Sequence, residues 1–224
     1  MSKDVYLVVE GPTEQLFVER VLAPHLFGSG LYFHATQIPN GDGRGGDVRF
    51  ERAARSVANF LKQRRDTLVG TFFDYYGLRE WPRLDEVHAL NDPDPAAIAQ
   101  TLNEAATLDL ISRLPGINVR NRFVPFLAVH EFEALLFSDA ARLASGTGIP
   151  EQLIRAALDE AGGPEQIDRG PETAPSKRLA SWMNSRYGKT TTGIAVAQSI
   201  GIPAMRAACP NFDVWLSIIE NAAG

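Results

Sequence analysis

The stretch that decides the fold is Val5-Tyr6-Leu7-Val8-Val9-Glu10-Gly11-Pro12-Thr13-Glu14. Its first five residues are apolar or aromatic without polar alternation, which predicts a strand buried on both faces. Gly11-Pro12 ends that strand, and Pro12 suits the first turn of a helix. The stretch therefore predicts a strand followed by a helix, with Glu10 at the carboxyl end of the strand.

The same alternation continues along the chain. Further strands are predicted at 31–38, 68–73 and 123–129, and helices at 12–22, 48–65, 95–113 and 131–144. Alternating strands and helices are typical of α/β proteins, in which a mostly parallel sheet carries helices on both faces. We expect residues 1–160 to form this α/β domain. Residues 161–224, with short helical pieces at 177–186, 193–200 and 212–221, would form a C-terminal helical extension packed on it.

Composition indicates an ordinary globular protein. The chain has 224 residues, of which 45% are hydrophobic and 22% charged, and a single cysteine, Cys209. Its start lacks the pattern of a signal peptide, and no apolar run approaches the ~20 residues that span a bilayer. We expect a cytoplasmic protein without a membrane segment.

The net charge of −5 is unusual for a protein that binds duplex DNA unaided. Either the acidic residues are concentrated in a metal site, or a partner provides the contacts with DNA, or nucleic acid is not the ligand. No acidic residue occurs between Glu172 and Asp213, and that tract is basic. Four basic residues are candidates for contacts with nucleic acid: Arg44, Lys177, Arg178 and Lys189.

Carboxylates follow three of the predicted strands: Glu10, Asp74 and Glu131. Because ligands of parallel sheets bind beyond the carboxyl ends of the strands, these side chains are expected to converge. Clustered carboxylates suit Mg²⁺ or Mn²⁺, and two such ions can hold both oxygens of a phosphodiester displacement. The sequence therefore predicts a metal site for phosphate chemistry.

Other residues are candidates with open alternatives. Glu14 is a possible metal ligand, or it complements the dipole of its helix. Glu133 shares a face with Glu131 in an extended chain but diverges from it in a helix. Lys177 could stabilise negative charge on a phosphoryl oxygen, with Lys189 as a second candidate, or it is a solvated helix start.

The glycine-rich loop Gly41-x-Gly43-x-x-Gly46 matches a dinucleotide fingerprint in form. It follows the second predicted strand rather than the first, so a loop near the site with Arg44 touching phosphate is favoured over a dinucleotide site. The chain has no Gly-x-x-x-x-Gly-Lys-Ser/Thr motif, so we do not expect it to be an ATPase itself.

These residues carry a family resemblance. Val8 to Glu14 looks like the first Toprim motif, a strand followed by Glu-Gly-x-Thr-Glu, and Phe72 to Gly77 sits where Toprim domains place Asp-x-Asp. The whole chain resembles a bacterial Toprim-like family, domain of unknown function family 4276. The stretches that match this family are 72–78, 130–137 (His-Glu-Phe-Glu-Ala-Leu-Leu-Phe), 170–178 and 207–210.

The resemblance implies a Toprim-like fold and kinship with Toprim nucleases, above all the overcoming-lysogenization-defect type, which is often paired with an ATPase in phage defence. It implies Mg²⁺- or Mn²⁺-dependent cleavage of DNA or RNA, with Glu10 and Asp74 as metal ligands. Tyr76 stands in place of the second aspartate, so Glu131 or Glu133 would have to substitute. The alternative is a catalytically weak binding or regulatory subunit gated by a partner ATPase. Homo-oligomerisation is left open.

Overall fold

A computed structural model of the protein describes residues 2–39, 48–91, 94–129, 131–167 and 173–222. Its strands are β1 (Lys3–Val9), β2 (Leu31–Gln37), β3 (Val48–Arg49), β4 (Leu68–Asp74), β5 (Leu78–Arg79) and β6 (Phe123–Ala128). Its α-helices are α1 (Pro12–Phe17), α2 (Ala23–Leu26), α3 (Phe50–Gln63), α4 (Leu84–His88), α5 (Pro95–Arg113), α6 (Val119–Arg122), α7 (Ala140–Thr147), α8 (Glu151–Ala161), α9 (Pro175–Trp182), α10 (Ile194–Ile200), α11 (Ile202–Ala208) and α12 (Pro210–Asn221).

The main sheet has four strands in the order β2-β1-β4-β6, and every neighbouring pair is parallel. Val9 of β1 is level with Phe72 of β4, so Glu10 and Asp74 come out at the same edge. A separate two-stranded pairing joins β3 to β5. The predicted α/β class with a mostly parallel sheet is confirmed.

Alternate residues of the strands enter two hydrophobic cores, one on each face of the sheet. Val8 and Phe73 point to the face covered by α3 and α5. Leu7 and Phe72 point to the opposite face, which is covered by α1 and by the C-terminal helices. Residues of the tail, such as Phe212, therefore share a core with the sheet, which fixes the C-terminal segment against it.

The region after β6 departs from the predicted helix over 131–144. Residues Phe132–Ser138 form 3-10 turns, and α7 begins only at Ala140. Asp139 has an extended backbone and its carboxylate accepts a hydrogen bond from the Arg142 amide, so it starts a new helix. The helix predicted at 95–113 is observed as α5, and the Asp94 carboxylate caps it by accepting a hydrogen bond from the Ala97 amide.

Other differences concern short elements. The first helical segment runs on from α1 through a π-helical turn at Val18–Leu22 into α2. The two-residue strands β3 and β5 are too short to give a periodic signal. Within the described ranges, no helix is long and apolar enough to cross a bilayer.

Phe72 anchors the core on the face of the C-terminal helices. It is fully buried, and its ring centre lies 5.6 Å from that of Phe17, 5.0 Å from that of Phe126 and 6.0 Å from that of Trp215. Phe72→Ala should lower the free energy of unfolding by about 3–5 kcal/mol, because the cavity would open between three elements. Urea denaturation measures this, and a loss below about 1 kcal/mol would contradict the central position of this ring.

Candidate functional site

A cleft of about 350 Å³ lies beyond the carboxyl ends of β1 and β4. Its lining consists of Glu10, Gly11, Pro12, Thr13, Glu14, Asp74, Tyr76, Gly77, Glu131 and Lys189. Four of the five carboxylates predicted from the sequence are therefore brought together. A larger groove of about 970 Å³ lies along β6 between α5 and α12, and no predicted site residue within the described ranges lines it.

Glu10 is positioned by the end of β1 and by the absence of a side chain at Gly77. A Cβ atom on residue 77 would overlap the Glu10 carboxylate. Gly77 belongs to the 3-10 turn Tyr75–Gly77, which links β4 to β5, and the pairing of β5 with β3 fixes that turn. Gly77 was not among the predicted site residues, although its place three residues after Asp74 was a usable signal.

Glu14 is buried in the first turn of α1, and its Oε2 accepts a hydrogen bond from the Gly11 amide at 3.0 Å. Burial raises the pKa of Glu14, and the neighbouring Glu10 carboxylate raises it further. Glu14 therefore both caps the start of its helix and adds negative charge to the cleft. The two roles predicted for it, at the helix start and in a metal site, are compatible.

Asp74 is 8% exposed, and its Oδ1 accepts a hydrogen bond from the Phe132 amide at 2.8 Å. Burial, with repulsion from Glu14 and Glu10, raises the pKa of Asp74 well above the ordinary aspartate range. A cation beside these carboxylates would lower that pKa. The electrostatics of the cleft thus favour a bound positive charge.

Glu131 holds the C-terminal segment at the cleft. Its carboxylate accepts hydrogen bonds from the Ser176 amide at 2.9 Å and from the Ser176 hydroxyl at 2.8 Å, at the start of α9. Glu133 has no exposed surface, and it accepts hydrogen bonds from Lys189 Nζ at 3.1 Å and from the Tyr187 hydroxyl at 3.4 Å. Burial raises the pKa of Glu133, while Lys189 acts against that shift.

Lys189 is the lysine that reaches the carboxylates. Its Nζ lies 3.9 Å from Glu131 Oε1 in addition to the bond with Glu133. Burial disfavours the ammonium, but the attraction of Glu133, Asp74 and Glu131 outweighs it and raises the pKa of Lys189. Lys189 therefore carries its positive charge in the cleft at neutral pH.

Lys177 and Arg178 do not line the cleft. Lys177 is exposed on the first turn of α9. Arg178 donates a hydrogen bond to the Thr173 carbonyl oxygen at 2.9 Å. Arg44, the glycine-rich loop 41–46 and His130 lie outside the described residues.

The donor chemistry of the cleft fits Mg²⁺ or Mn²⁺, which prefer carboxylate oxygens. In the described ranges, however, no three His, Cys, Asp or Glu side chains are grouped closely enough to hold an ion by themselves. Mg²⁺ is commonly bound by one or two carboxylates together with water and substrate phosphate. The residues present therefore fit a metal that is held partly by its substrate.

Fold and cleft together define an α/β protein whose parallel sheet carries an acidic cleft and a lysine at its carboxyl edge. The chain belongs to the family described as domain of unknown function (DUF4276), whose model matches residues 9–220. The resemblance to this family expected from the sequence is thereby confirmed.

Among solved structures, the chain is similar to the C-terminal region of the OLD protein of Xanthomonas campestris pv. campestris, with 15% identity and a TM-score of 0.39 over 99% of this chain and 98% of that chain. No curated protein matches.

The role of Gly77 is tested by Gly77→Ala. Gly77 does not have a positive φ, so the new Cβ atom is the main change, and it would push the Glu10 carboxylate aside. Gly77→Ala should reduce metal binding or activity that depends on Glu10 roughly as much as a substitution of Glu10 itself. The free energy of unfolding should change by about 1 kcal/mol or less. Gly28→Ala is the matched control, because a Cβ atom there has no neighbour within 4 Å. Equal effects of the two substitutions on function would contradict the steric argument.

Asp74→Asn tests whether the Asp74 carboxylate is repelled by Glu14 and Glu10. The raised pKa of Asp74 means that the fold prefers the protonated carboxyl. In the metal-free protein this contribution to stability is present at low pH and is lost as pH rises towards the raised pKa. Asp74→Asn with EDTA should therefore unfold a few degrees above wild type at neutral pH, and the gap should shrink as pH falls from about 8 to 5. A variant that is less stable than wild type across this range would rule out net repulsion at Asp74.

Proposed function

We propose that the protein is a metal-dependent nuclease of the Toprim type that hydrolyses phosphodiester bonds in DNA or RNA. One observation carries the proposal: Glu10, Glu14, Asp74 and Lys189, which are far apart in sequence, line a single cleft at the carboxyl edge of a parallel sheet. A divalent cation bound by carboxylates, together with a fixed ammonium, can stabilise the negative charge that develops on a phosphoryl group during hydrolysis.

Glu10 and Asp74 are assigned as the principal ligands of Mg²⁺ or Mn²⁺, with Glu14 and Glu131 at the border of the same cleft. A bound ion of this kind would polarise a phosphoryl oxygen and lower the pKa of a coordinated water. Gly11 and Phe132 would keep the carboxylates oriented, because their amides donate to Glu14 and Asp74. These side chains are thus held in place before any ligand arrives.

Lys189 takes the phosphate-contacting role for which Lys177 was the first candidate. Its ammonium faces the same carboxylates that would hold the metal, whereas Lys177 is at the surface of α9. Lys177 and Arg178 are then assigned to the nucleic-acid backbone outside the cleft. In this chain of net charge −5, the tract 173–212 has no acidic residue and contains all three of these cations, which supports phosphate contact there.

The test is cleavage of supercoiled plasmid, single-stranded DNA and total tRNA by purified protein with Mg²⁺, Mn²⁺ or EDTA. Cleavage should require the metal, and Glu10→Gln should reduce it by roughly a hundredfold or more, because the ligand loses its charge while keeping its shape. Glu19→Gln is the matched control. Glu19 is an exposed glutamate in the next turn of the same helical segment, where its Oε1 accepts a hydrogen bond from Gln15.

Full activity of Glu10→Gln would overturn the site assignment. If the wild type binds Mn²⁺ but cuts none of the three substrates, the nuclease proposal fails for the isolated chain. That result would favour the alternative of a subunit gated by a partner ATPase, for which Tyr76, in place of a second aspartate, is the sequence argument.

A further inference from the structure

Glu133 is a carboxylate with no exposed surface, just behind the cleft rather than in its lining. A buried carboxylate is strongly unfavourable unless it is paired and hydrogen-bonded. Both of its oxygens have partners, and both partners come from the turn that precedes α10. The burial of Glu133 thus depends on that turn of the C-terminal segment.

The turn is shaped for these two contacts. Tyr187 and Lys189 flank Gly188, and a π-helical turn at Lys189–Gly193 leads into α10. A Cβ atom on Gly193 would meet the Tyr187 hydroxyl at 2.6 Å, so glycine leaves the space that the tyrosine uses. Burial and the neighbouring Glu133 raise the pKa of Tyr187, which keeps its hydroxyl protonated as a donor.

We propose that Glu133 is a positioning residue that holds the Lys189 ammonium in the cleft, and that it is not a metal ligand. The proposal rests on the proposed function, in which Lys189 contacts the phosphate. An ammonium has three N–H donors, so the bond to Glu133 leaves two for oxygens in the cleft. A lysine side chain is flexible, and the pairing with Glu133, steadied by Tyr187, orders it before substrate binds.

The rival role, metal ligation by Glu133, predicts different behaviour. A ligand acts on metal affinity whatever residue stands at 189. A positioning residue acts through Lys189, so its loss should change nothing further once Lys189 is gone. Glu133→Gln suits this test, because the amide keeps the shape of the side chain and a hydrogen-bonding oxygen but removes the charge.

The first experiment is a double-mutant cycle on the full chain with Glu133→Gln, Lys189→Met and both together, measuring kcat, KM and Mn²⁺ affinity. We expect kcat to fall about a hundredfold for Lys189→Met and about tenfold for Glu133→Gln, with the double variant no worse than Lys189→Met. Mn²⁺ should bind Glu133→Gln within about twofold of wild type. Lys189→Arg should restore part of the activity when Glu133 is present and none in Glu133→Gln.

Glu165→Gln is the matched control. Glu165 is another buried glutamate, bonded to the Asn211 and Phe212 amides away from the cleft. Its loss should lower stability, and its effect on kcat, if any, should multiply with that of Lys189→Met. If Glu133→Gln does not fold, Glu133→Asp keeps the charge and retracts the carboxylate by one methylene, and it should lower kcat in the same Lys189-dependent way.

The second experiment does not depend on nuclease activity. Limited acylation of lysines, read by mass spectrometry, should modify Lys189 slowly in wild type and several times faster in Glu133→Gln. The exposed Lys177 serves as the internal reference. Any one of three results would overturn the proposal. The first is a tenfold loss of Mn²⁺ affinity in Glu133→Gln, and the second is a kcat of the double variant lowered by the product of the two single effects. The third is unchanged labelling of Lys189 in Glu133→Gln. If wild type cuts nothing, the proposed function fails, while labelling and Mn²⁺ binding still decide the role of Glu133.

Discussion

Mutual repulsion among buried carboxylates is the constraint around which this molecule is arranged. Asp74, Glu14 and Glu10 meet at one edge of the sheet, and burial together with their shared charge raises the pKa of Asp74 and of Glu14. A fold gains nothing in stability from such an arrangement, so its presence indicates a function. Two backbone amides and one ammonium oppose the repulsion, and each is delivered by a different element.

The elements that deliver these groups depend on one another. The Phe132 amide bonds to Asp74, and the next carboxylates along the chain, Glu131 and Glu133, bond to Ser176 and Lys189. The 3-10 turns after β6 therefore contact the sheet on one side and the C-terminal segment on the other. The C-terminal helices are also bound to the sheet by the shared aromatic core around Phe72. The same C-terminal segment therefore contributes both to the cleft and to the hydrophobic core.

The sequence allowed the four strands of the main sheet and the residues at their ends to be predicted, since a run such as 5–9 or 68–73 carries its own signal. Because the strands are parallel, Glu10 and Asp74 had to emerge at one edge. The choice between Lys177 and Lys189 was different, because both lie in one basic tract and only the packing of α9 and the turn before α10 separates them. The pairing of Glu133 and the space left by Gly77 likewise depend on side chains distant in sequence, for which periodicity gives no signal.

The late position of Lys189 has a consequence for synthesis on the ribosome. The residues that supply the carboxylates, 10 to 133, leave the exit tunnel well before residue 189 does. A nascent chain that has extended past β6 can pair its parallel strands but holds its acidic residues without the ammonium that offsets them. Completion of the acidic cleft therefore has to wait until residue 189 has emerged and the C-terminal helices have docked on the sheet.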